Sequence, residues 1–428
     1  MIDRPSGGDA AVLVALDFGV DGYSESIEEL RLLASSAGLD VRALVQGRRN
    51  SADPALFAGS GKAQEIKAAI ESHEATLCVF NHALSPAQER NLERALACRV
   101  IDRTSLILDI FAQRAKSHEG KVQVELAQLD HLSTRLVRGW THLERQRGGI
   151  GLRGPGETQL ETDRRLIGHR VKILRGKLEK LKQQRDIQRR ARVRRDVLSV
   201  SLVGYTNAGK STLFNALTHA GTYAADQLFA TLDTTTRRLF VAEAGQLTLS
   251  DTVGFIRELP HALVEAFRAT LEETIHADIL LHVVDGAASL REEQIKQVNA
   301  VLAEIDAARV PQILVWNKID QTEITPGIDR DEYGRIWRVR LSAKTGAGLE
   351  LIRQALTEAS LQKRASQGQV LQVGAPWGNV PEGRLEPNGT DPDHRTRPGQ
   401  DSQNPQGLVS STNDSDDSTE EPRNLYVN

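Results

Sequence analysis

The chain has few cysteines and no long apolar run. Only two of its 428 residues are cysteines, Cys78 and Cys98, which excludes a disulfide framework and favours a reducing compartment. The opening residues, MIDRPSGGDA, contain no apolar segment of the kind found in secretory signals. No apolar run approaches the length of a membrane-spanning helix. These absences predict a cytoplasmic protein, and the length predicts two or three domains.

Two glycine-rich stretches lack the context that a nucleotide site needs. Gly149, Gly151 and Gly154 form a literal G-x-G-x-x-G, but the polar residues WTHLERQR at 140–147 precede them. A dinucleotide loop follows a buried strand and opens a helix, so the context argues against a dinucleotide site here. The GSGK at 59–62 lacks the earlier glycine and the Ser/Thr of a phosphate loop, and we interpret it as a loop and helix start.

Charge is spread unevenly along the chain. The net charge is −3, yet residues 134–195 hold 19 Lys/Arg and 6 Asp/Glu, a net charge of +13. Such asymmetry is typical of a segment that meets a polyanion, although a solvated basic face would give the same count.

The order of apolar segments predicts an α/β chain whose first domain covers 1–103. Short strands alternate with helices there, which indicates a small parallel sheet. The predicted strands are Ala11–Phe18, Val41–Gln46, Ala75–Phe80 and Arg99–Ile101. The predicted helices are Ser24–Ala37, Lys62–Ser72 and Pro86–Ala97.

Residues 104–196 show a helical period instead. Apolar residues recur at alternating spacings of three and four residues on two stretches that flank the glycine loop, with Ser133 at one position of the pattern. This period predicts a projecting antiparallel helical hairpin with the loop at its tip. The apolar residues are Val122, Leu126, Leu129, Leu136, Ile167, Val171, Leu174, Leu178 and Leu181.

A second α/β rhythm covers 197–360. Its predicted strands are Leu198–Val203, Leu239–Ala242, Leu247–Ser250, Ile279–Val284, Gln312–Trp316 and Trp337–Leu341. Residues 361–428 are rich in Gly, Pro, Ser, Asn and Asp, and they predict a disordered tail because they offer little apolar surface to bury.

The stretch VSLVGYTNAGKST at 200–212 carries a complete G-x-x-x-x-G-K-S between an apolar strand and a helix. Gly204 and Gly209 let the backbone wrap phosphates, Lys210 reaches the outer two, and the Ser211 hydroxyl binds Mg²⁺. The context therefore predicts a nucleoside triphosphate site.

Further motifs indicate guanine. Asn317-Lys318-Ile319-Asp320 follows a strand; Asp320 can accept from the two N–H donors of guanine, Asn317 can reach the opposite edge and the Lys318 stem covers the base. Adenine lacks the 2-amino group, which would leave the carboxylate unpaired, so GTP is preferred. Ser342-Ala343-Lys344 follows the last strand, where its backbone can meet the guanine carbonyl.

The residues 251–254, Asp-Thr-Val-Gly, are placed to hold Mg²⁺ through water at Asp251 and to sense the γ-phosphate at Gly254. A threonine of the preceding segment 228–238 should close over the same phosphate, but spacing leaves Thr231, Thr234, Thr235 and Thr236 open.

The position after this motif holds Phe255, which cannot orient a water as glutamine does, so intrinsic hydrolysis should be slow. Asn207 offers an amide oxygen for a monovalent cation beside the phosphates; plain hydrogen bonding within the loop is the alternative.

These stretches together resemble the HflX family of GTPases. The resemblance rests on FNHALSPAQERNLE (80–93), RLVRGWTHLERQRGGIGLRGPGETQLETDRR (135–165), GYTNAGKST, FATLDTTTR, DTVGFIRELP and NKID, and it covers about residues 10–360. It implies a GTPase that binds the large ribosomal subunit, is stimulated by ribosomes, and dissociates or rescues stalled ribosomes under stress. It also implies that Thr231 is the Mg²⁺-binding threonine and that Phe229 to Asp233 line the nucleotide.

The predicted GTP site thus comprises Gly204, Tyr205, Thr206, Asn207, Ala208, Gly209, Lys210, Ser211, Thr212, Phe229, Ala230, Thr231, Leu232, Asp233, Asp251, Thr252, Val253, Gly254, Asn317, Lys318, Ile319, Asp320, Ser342, Ala343 and Lys344. Its predicted metal ligands are Ser211 and Thr231, with Asp251 acting through water. The predicted RNA-binding residues of the hairpin tip are Arg145, Arg147, Gly149, Gly151, Arg153 and Gly154.

Two other functions fit the same residues. One is an RNA chaperone in which GTP serves only to order the protein. The other is a GTPase that docks to a membrane surface or a protein through the hairpin. The use of the hairpin's apolar residues between its own helices argues against lipid contact. One complete site per chain and no pairing seam indicate a monomer.

Overall fold

The computed structural model describes residues 8–19, 21–139, 155–193, 197–218, 227–257, 259, 263–264 and 267–368. Two parallel-dominated sheets lie in this part of the chain, one before and one after a pair of long helices. In these residues no helix is both long and apolar enough to cross a bilayer. The protein is therefore an α/β chain, as its sequence predicts.

The first sheet has the strand order β2-β1-β3-β4, and all its pairs are parallel. Its strands are β1 (Ala10–Asp17), β2 (Asp40–Arg48), β3 (Leu77–Phe80) and β4 (Arg99–Asp102). The connecting helices are α1 (Tyr23–Ser36), α2 (Ser60–Ser72) and α3 (Pro86–Leu96). Every predicted element lies within two residues of these bounds.

Local capping explains where these helices begin. Ser85 forms a capping box with Gln88 ahead of Pro86 in the first turn of α3. Gly59 precedes α2 with a φ of 79°, and Lys62 donates to the carbonyl of Gln46 and to Glu65. The GSGK stretch is therefore a loop and helix start, as interpreted from the sequence.

Helix α4 (Arg103–Arg114) is a separate element that the sequence analysis placed in the hairpin. The Asp102 carboxylate caps it by accepting from the Ser105 N–H at 2.8 Å. Its apolar residues, among them Ile107 and Phe111, are buried in the cluster that also contains β1 and α1. A fresh helix starts only at His118, so the long helices begin later than residue 104.

The hairpin consists of α5 (His118–Gly139) and α6 (Pro155–Val193). Glu119 pairs with Arg185 and Glu125 pairs with Arg170, so residue numbers fall along one helix as they rise along the other, which makes the pair antiparallel. The apolar seam between them contains six of the predicted residues: Val122, Leu126, Leu129, Val171, Leu174 and Leu178. The side chain of Leu136 and the tip residues 140–154 lie outside the described residues.

The second sheet has the order β10-β11-β9-β8-β5-β7-β6, with antiparallel pairs only at its two edges. Its strands are β5 (Leu198–Gly204), β6 (Thr235–Val241), β7 (Gly245–Asp251), β8 (Ile279–Asp285), β9 (Gln312–Asn317), β10 (Gly327–Arg330) and β11 (Ile336–Arg340). Its helices are α7 (Lys210–Thr218), α8 (Arg268–Ile275), α9 (Arg291–Glu304) and α10 (Leu349–Gly368).

Three boundaries differ from the sequence predictions. Strand β6 begins at Thr235 rather than Leu239, because its threonines pair with Asp251 and Ser250 of β7. The short edge strand β10 carries no apolar run and was not predicted. Helix α10 continues to Gly368, past the predicted tail start at 361, since LQKRAS is rich in helix-forming residues. Residues 369–428, most of the predicted disordered tail, lie outside the described residues.

One hydrophobic cluster joins the first domain to the second. Phe111 of α4 packs edge-on against Phe229 and Phe267, with ring centroids 4.6 and 4.8 Å apart. Leu232 and Val253, which lie within the nucleotide motifs, and Ile256, just after them, are buried in the same cluster. The segments beside the phosphate site therefore pack directly on the helices that lead into the hairpin.

Candidate functional site: a guanine nucleotide pocket

A cavity of about 520 Å³ opens at the carboxyl ends of the strands in the second sheet. Ligands of open α/β sheets bind at this edge. The predicted residues that line it are Thr206, Asn207, Gly209, Lys210, Ser211, Thr212, Phe229, Ala230, Thr231, Thr252, Gly254, Asn317, Lys318, Asp320 and Lys344. Gln227 and Gln321 also line it, and no motif in the sequence marks either one.

The phosphate loop connects β5 to α7 and requires glycine at two positions. Gly204 has a φ of 145°, and a Cβ there would lie 2.1 Å from the carbonyl oxygen of Val283. Gly209 has a φ of 90°, and a Cβ there would lie 2.1 Å from the Asn317 Nδ2 atom. Only glycine combines this backbone with this proximity, so both residues of the motif are structurally required.

Lys210 is buried beside the loop, with 6% of its surface exposed. Its Nζ donates to the carbonyl oxygens of Gly204 at 3.1 Å and Tyr205 at 2.8 Å. Burial lowers its pKa to about 8, and the nearby Asp251 carboxylate opposes this change. The ammonium group is thus held over the loop by neutral carbonyls, where phosphate oxygens would satisfy it better.

Three oxygen-bearing side chains meet at the start of α7. The Ser211 hydroxyl lies 2.7 Å from Asp251 Oδ2 and 2.8 Å from the Thr231 hydroxyl, which itself donates to the same Oδ2 at 2.9 Å. Among the described residues the buried Asp251 Oδ1 has no hydrogen-bond partner. Burial raises the pKa of Asp251, opposed chiefly by the Ser211 hydrogen bond. Hydroxyl and carboxylate oxygens with an orphaned lone pair fit Mg²⁺, a cation that prefers oxygen ligands.

The same geometry distinguishes three of the four candidate threonines. Thr231 lies at this oxygen cluster, whereas Thr235 and Thr236 belong to β6. The Thr236 hydroxyl lies 2.8 Å from the Ser250 hydroxyl of β7. Of these three, Thr231 is the one whose hydroxyl is hydrogen-bonded to both Ser211 and Asp251 among the described residues.

At the other end of the cavity, the Asn317 side chain links the phosphate loop to the segment that follows β11. It is 2% exposed; its Nδ2 donates to the Ala208 carbonyl at 2.9 Å and its Oδ1 accepts from the Ala343 N–H at 2.9 Å. These bonds tie the phosphate loop to the segment 342–344. Asn317 also lines the cavity, so its predicted contact with guanine stays a prediction.

Asp320 keeps the position expected of a base reader. Its Oδ1 accepts from the Ser342 hydroxyl at 2.5 Å, which orients the carboxylate at the cavity wall. Lys318 adopts a φ of 60°, and its Nζ pairs with Asp285 at 2.8 Å, which fixes the stem beside the cavity. Ile319 and Ala343 are buried beneath these residues. The arrangement presents one carboxylate to a bound base.

Several predicted nucleotide contacts point away from the cavity. Leu232 and Val253 are buried in the interdomain cluster. The Tyr205 hydroxyl donates to Glu29 at 2.5 Å and accepts from the Arg257 N–H at 2.7 Å, and burial raises its pKa. The carboxylate of Asp233 binds residues that precede α5. Contacts with the first domain set these orientations, and the local motif does not encode them.

Phe255 faces the protein interior. It is 2% exposed and packs with Val264 and Leu271. Replacing Phe255 with glutamine is therefore expected to destabilise the fold by about 3 kcal/mol, because a large buried ring is lost and an amide is buried in its place. We expect no faster GTP hydrolysis, since the side chain does not face the phosphates.

Urea unfolding and single-turnover hydrolysis test this expectation together. The matched control is Phe240→Gln, which alters a side chain that is 70% exposed. It should leave both measurements nearly unchanged. Faster hydrolysis by Phe255→Gln at wild-type stability would show that position 255 faces the attacking water instead.

The predicted RNA contacts Arg145, Arg147, Gly149, Gly151, Arg153 and Gly154 lie outside the described residues. The described residues contain no cluster of three His, Cys, Asp or Glu side chains that would bind a metal. The Mg²⁺ candidate differs from such clusters because it combines two hydroxyls with one carboxylate.

The fold and the cavity define a P-loop GTPase. Three family models match the chain: a GTPase N-terminal region at residues 24–112, a GTPase middle region at 114–192, and a 50S ribosome-binding GTPase at 199–318. The chain is 60% identical over 359 residues to GTPase HflX of Escherichia coli, covering 84% of each chain. It is 49% identical over 363 residues to GTPase HflX of Magnetococcus marinus, again covering 84% of each.

A solved GTP-binding protein from Sulfolobus solfataricus in complex with GDP is 25% identical, with a TM-score of 0.45, and the match covers 83% of this chain and 99% of that one. On the strength of the sequence relatives, the chain belongs to the HflX family of GTPases, and it hydrolyses GTP.

Proposed function

We propose that this GTPase binds the large ribosomal subunit, is stimulated by it, and dissociates or rescues stalled ribosomes in the cytoplasm. The observation that carries the proposal is the exposed basic face of α6. Lys172, Lys177 and Lys180 are exposed, and within the described residues none of them pairs with a carboxylate. A row of unpaired cations on a projecting helix suits a phosphate backbone.

The three acidic residues of α5 are engaged inside the hairpin. Glu125, Asp130 and Glu119 of α5 pair with Arg170, Arg175 and Arg185 of α6. These pairs hold the two helices together and leave Lys172, Lys177 and Lys180 for a partner. The family model matched at 199–318 describes a 50S ribosome-binding GTPase, which supports ribosomal RNA as that partner.

The packing of the two domains supports stimulation by whatever the hairpin binds. Arg103 of α4 is 4% exposed and donates to Glu29 at 2.6 Å and to the Arg257 carbonyl at 3.2 Å. Arg257 lies three residues after the predicted γ-phosphate sensor Gly254. A displacement of the first domain would thus reach the phosphate site through buried contacts.

Mg²⁺ is the proposed cofactor, held by Ser211 and Thr231, with Asp251 acting through water. When bound it would offset the negative charge on the phosphates.

A monovalent cation at Asn207 remains a second proposal: this residue has a φ of 59° and lines the cavity beside Thr206. Turnover compared in potassium and sodium salts, with Asn207→Ala as the variant, tests it.

One observation favours the alternative of a protein-docking hairpin. The sequence analysis expected the apolar residues of the hairpin to be used internally, but Leu166, Ile173 and Ile187 of α6 are 59%, 39% and 68% exposed. Their spacing places them on one side of the helix, apart from the seam with α5. A protein partner would cover these apolar side chains without contacting Lys172, Lys177 or Lys180. Charge reversal of the lysines should therefore weaken RNA binding but not protein docking.

Charge reversal of Lys172 and Lys180 to glutamate is expected to weaken binding to large ribosomal subunits about tenfold. It should also reduce, by about two, the steepness with which the logarithm of the binding constant falls with the logarithm of the salt concentration. Each cation that contacts a phosphate contributes about one to that slope. Co-sedimentation with purified subunits at several salt concentrations measures both quantities. By the same reasoning Arg153→Glu at the tip should weaken subunit binding and leave GTP affinity intact.

The matched control is the double variant Lys67→Glu and Arg309→Glu, which makes the same charge change on exposed residues outside the hairpin. It should bind subunits like the wild type. Equal weakening by both double variants would indicate a general charge effect. Wild-type binding by the Lys172 and Lys180 variant would contradict this RNA-binding face and favour docking through Leu166 and Ile173.

A further inference from the structure

We name residues 227–236 the switch segment. Two residues after Thr231, the proposed Mg²⁺ ligand, this segment is bound by the backbone that precedes α5. The carboxylate of Asp233 accepts at Oδ2 from the Lys116 N–H at 3.0 Å and the Ser117 N–H at 2.8 Å. Its Oδ1 accepts from the Ser117 hydroxyl at 2.5 Å. Asp233 therefore binds the backbone that leads into α5, the first helix of the hairpin.

The start of α5 is shaped to receive this carboxylate. A Cβ on Gly120 would lie 2.2 Å from Asp233 Oδ1. Gly120 has an ordinary helical backbone that any residue can adopt. Glycine is needed here because a side chain would collide with the Asp233 carboxylate. The Ser117 hydroxyl also accepts from the Gly120 N–H at 2.8 Å. A negative charge at a helix N-terminus is favourable in addition, because the helix dipole is positive there.

Three consecutive residues thus have three separate anchors. Thr231 bonds to Ser211 and Asp251 at the metal site. Leu232 is 3% exposed in the interdomain cluster. Asp233 bonds to residues 116 and 117. The Thr231 hydroxyl can hold its position only while the next two residues remain docked, because the three share one short stretch of backbone.

We propose that Asp233 is a positioning residue for GTP hydrolysis: by binding the N-terminus of α5 it places the Thr231 hydroxyl beside Ser211 and Asp251. The hairpin helix then sets how closely the switch segment approaches the γ-phosphate. A tilt of α5 when the hairpin binds its target would alter hydrolysis through this contact. That last step alone rests on the proposed ribosomal function; the positioning role does not.

Asp233→Ala is expected to lower kcat for GTP about tenfold or more, since misplacing a group by about 1 Å costs up to about a hundredfold in rate. GDP affinity should stay within about twofold, because the predicted Thr231 contact is to the γ-phosphate that GDP lacks. Asp233→Asn keeps one acceptor oxygen, which can replace Oδ2 toward the Lys116 and Ser117 N–H groups, and it should recover part of the rate. These assays use the full chain, GTP and Mg²⁺ without ribosomes.

Gly120→Ala separates positioning from folding. The new methyl group would displace the Asp233 carboxylate, yet alanine favours the helix over glycine. We therefore expect slower GTP turnover with a melting temperature that is unchanged or higher. The matched control is Gly176→Ala on α6, where a Cβ would meet nothing within 4 Å; it should keep wild-type turnover.

The proposal is overturned if Asp233→Ala and Gly120→Ala both keep kcat within twofold of the wild type. It is also overturned if Asp233→Ala weakens GDP and GTP binding equally while Gly120→Ala has no effect, since the contact would then be structural. A lowered kcat in both variants supports it whether or not ribosomes stimulate the protein, so its outcome is independent of the proposed partner.

Discussion

Lys210→Ala is expected to lower GTP affinity at least about a hundredfold. In this structure the Lys210 ammonium lies buried over the phosphate loop, bonded only to carbonyl oxygens of Gly204 and Tyr205 among the described residues. A charged hydrogen bond to phosphate contributes about 3 kcal/mol, which corresponds to roughly a hundredfold in affinity. Equilibrium titration with a fluorescent GTP analogue measures the loss.

The matched control for this variant is Lys344→Ala. Lys344 lines the same cavity but is exposed, and it lies in the segment after β11, away from the phosphate loop. Its removal should change affinity only a few-fold. Thermal melting of both variants checks that the loop still folds. GTP affinity of a folded Lys210→Ala variant within threefold of the wild type would show that the phosphates bind elsewhere.

Asp320→Asn is expected to reverse the base preference from guanine to xanthine. The Asp320 carboxylate is oriented by the Ser342 hydroxyl at 2.5 Å. Asparagine can keep that bond through its carbonyl while offering an N–H to the base. Guanine then meets a donor with its own donor, whereas xanthine offers a carbonyl. We expect about a hundredfold weaker GTP binding and a comparable gain for xanthosine triphosphate.

Competition between the two nucleotides for the purified variant tests this reversal. Asp331→Asn is the matched control, because Asp331 is bonded to Arg335 in the turn between β10 and β11 and does not line the cavity. It should retain the preference for GTP. A folded Asp320→Asn protein that still prefers GTP would contradict the assignment of Asp320 as the base reader.

Much of the fold was predictable because period and capping signals are local. Alternating apolar runs placed the strands of both sheets within two residues, apart from β6 and β10. The hairpin was predicted from residue 104, whereas its first long helix begins at His118. Both α4 and α5 are helical, and periodicity does not show which neighbours a helix packs against. Only the buried contacts of Ile107 and Phe111 show that α4 belongs with the first sheet.

The site shows the same division between local and long-range signals. The phosphate loop and Asp320 were predicted from motifs and Thr231 from the family resemblance, and the structure places them at one cavity. Asn317 and Asp233 have partners distant in the chain, Ala208 and Ser117. A motif gives a residue's type and its neighbours in sequence. It does not give the direction that a partner more than 100 residues away imposes on the side chain.

The most direct test of the proposed function is GTP turnover by the purified protein alone, with large ribosomal subunits, with small subunits, and with an equal mass of unrelated RNA. We predict slow turnover alone and stimulation of at least about tenfold by large subunits only, as expected when a partner completes a GTPase site. Equal stimulation by any RNA, or none by large subunits, would contradict a ribosome-activated GTPase.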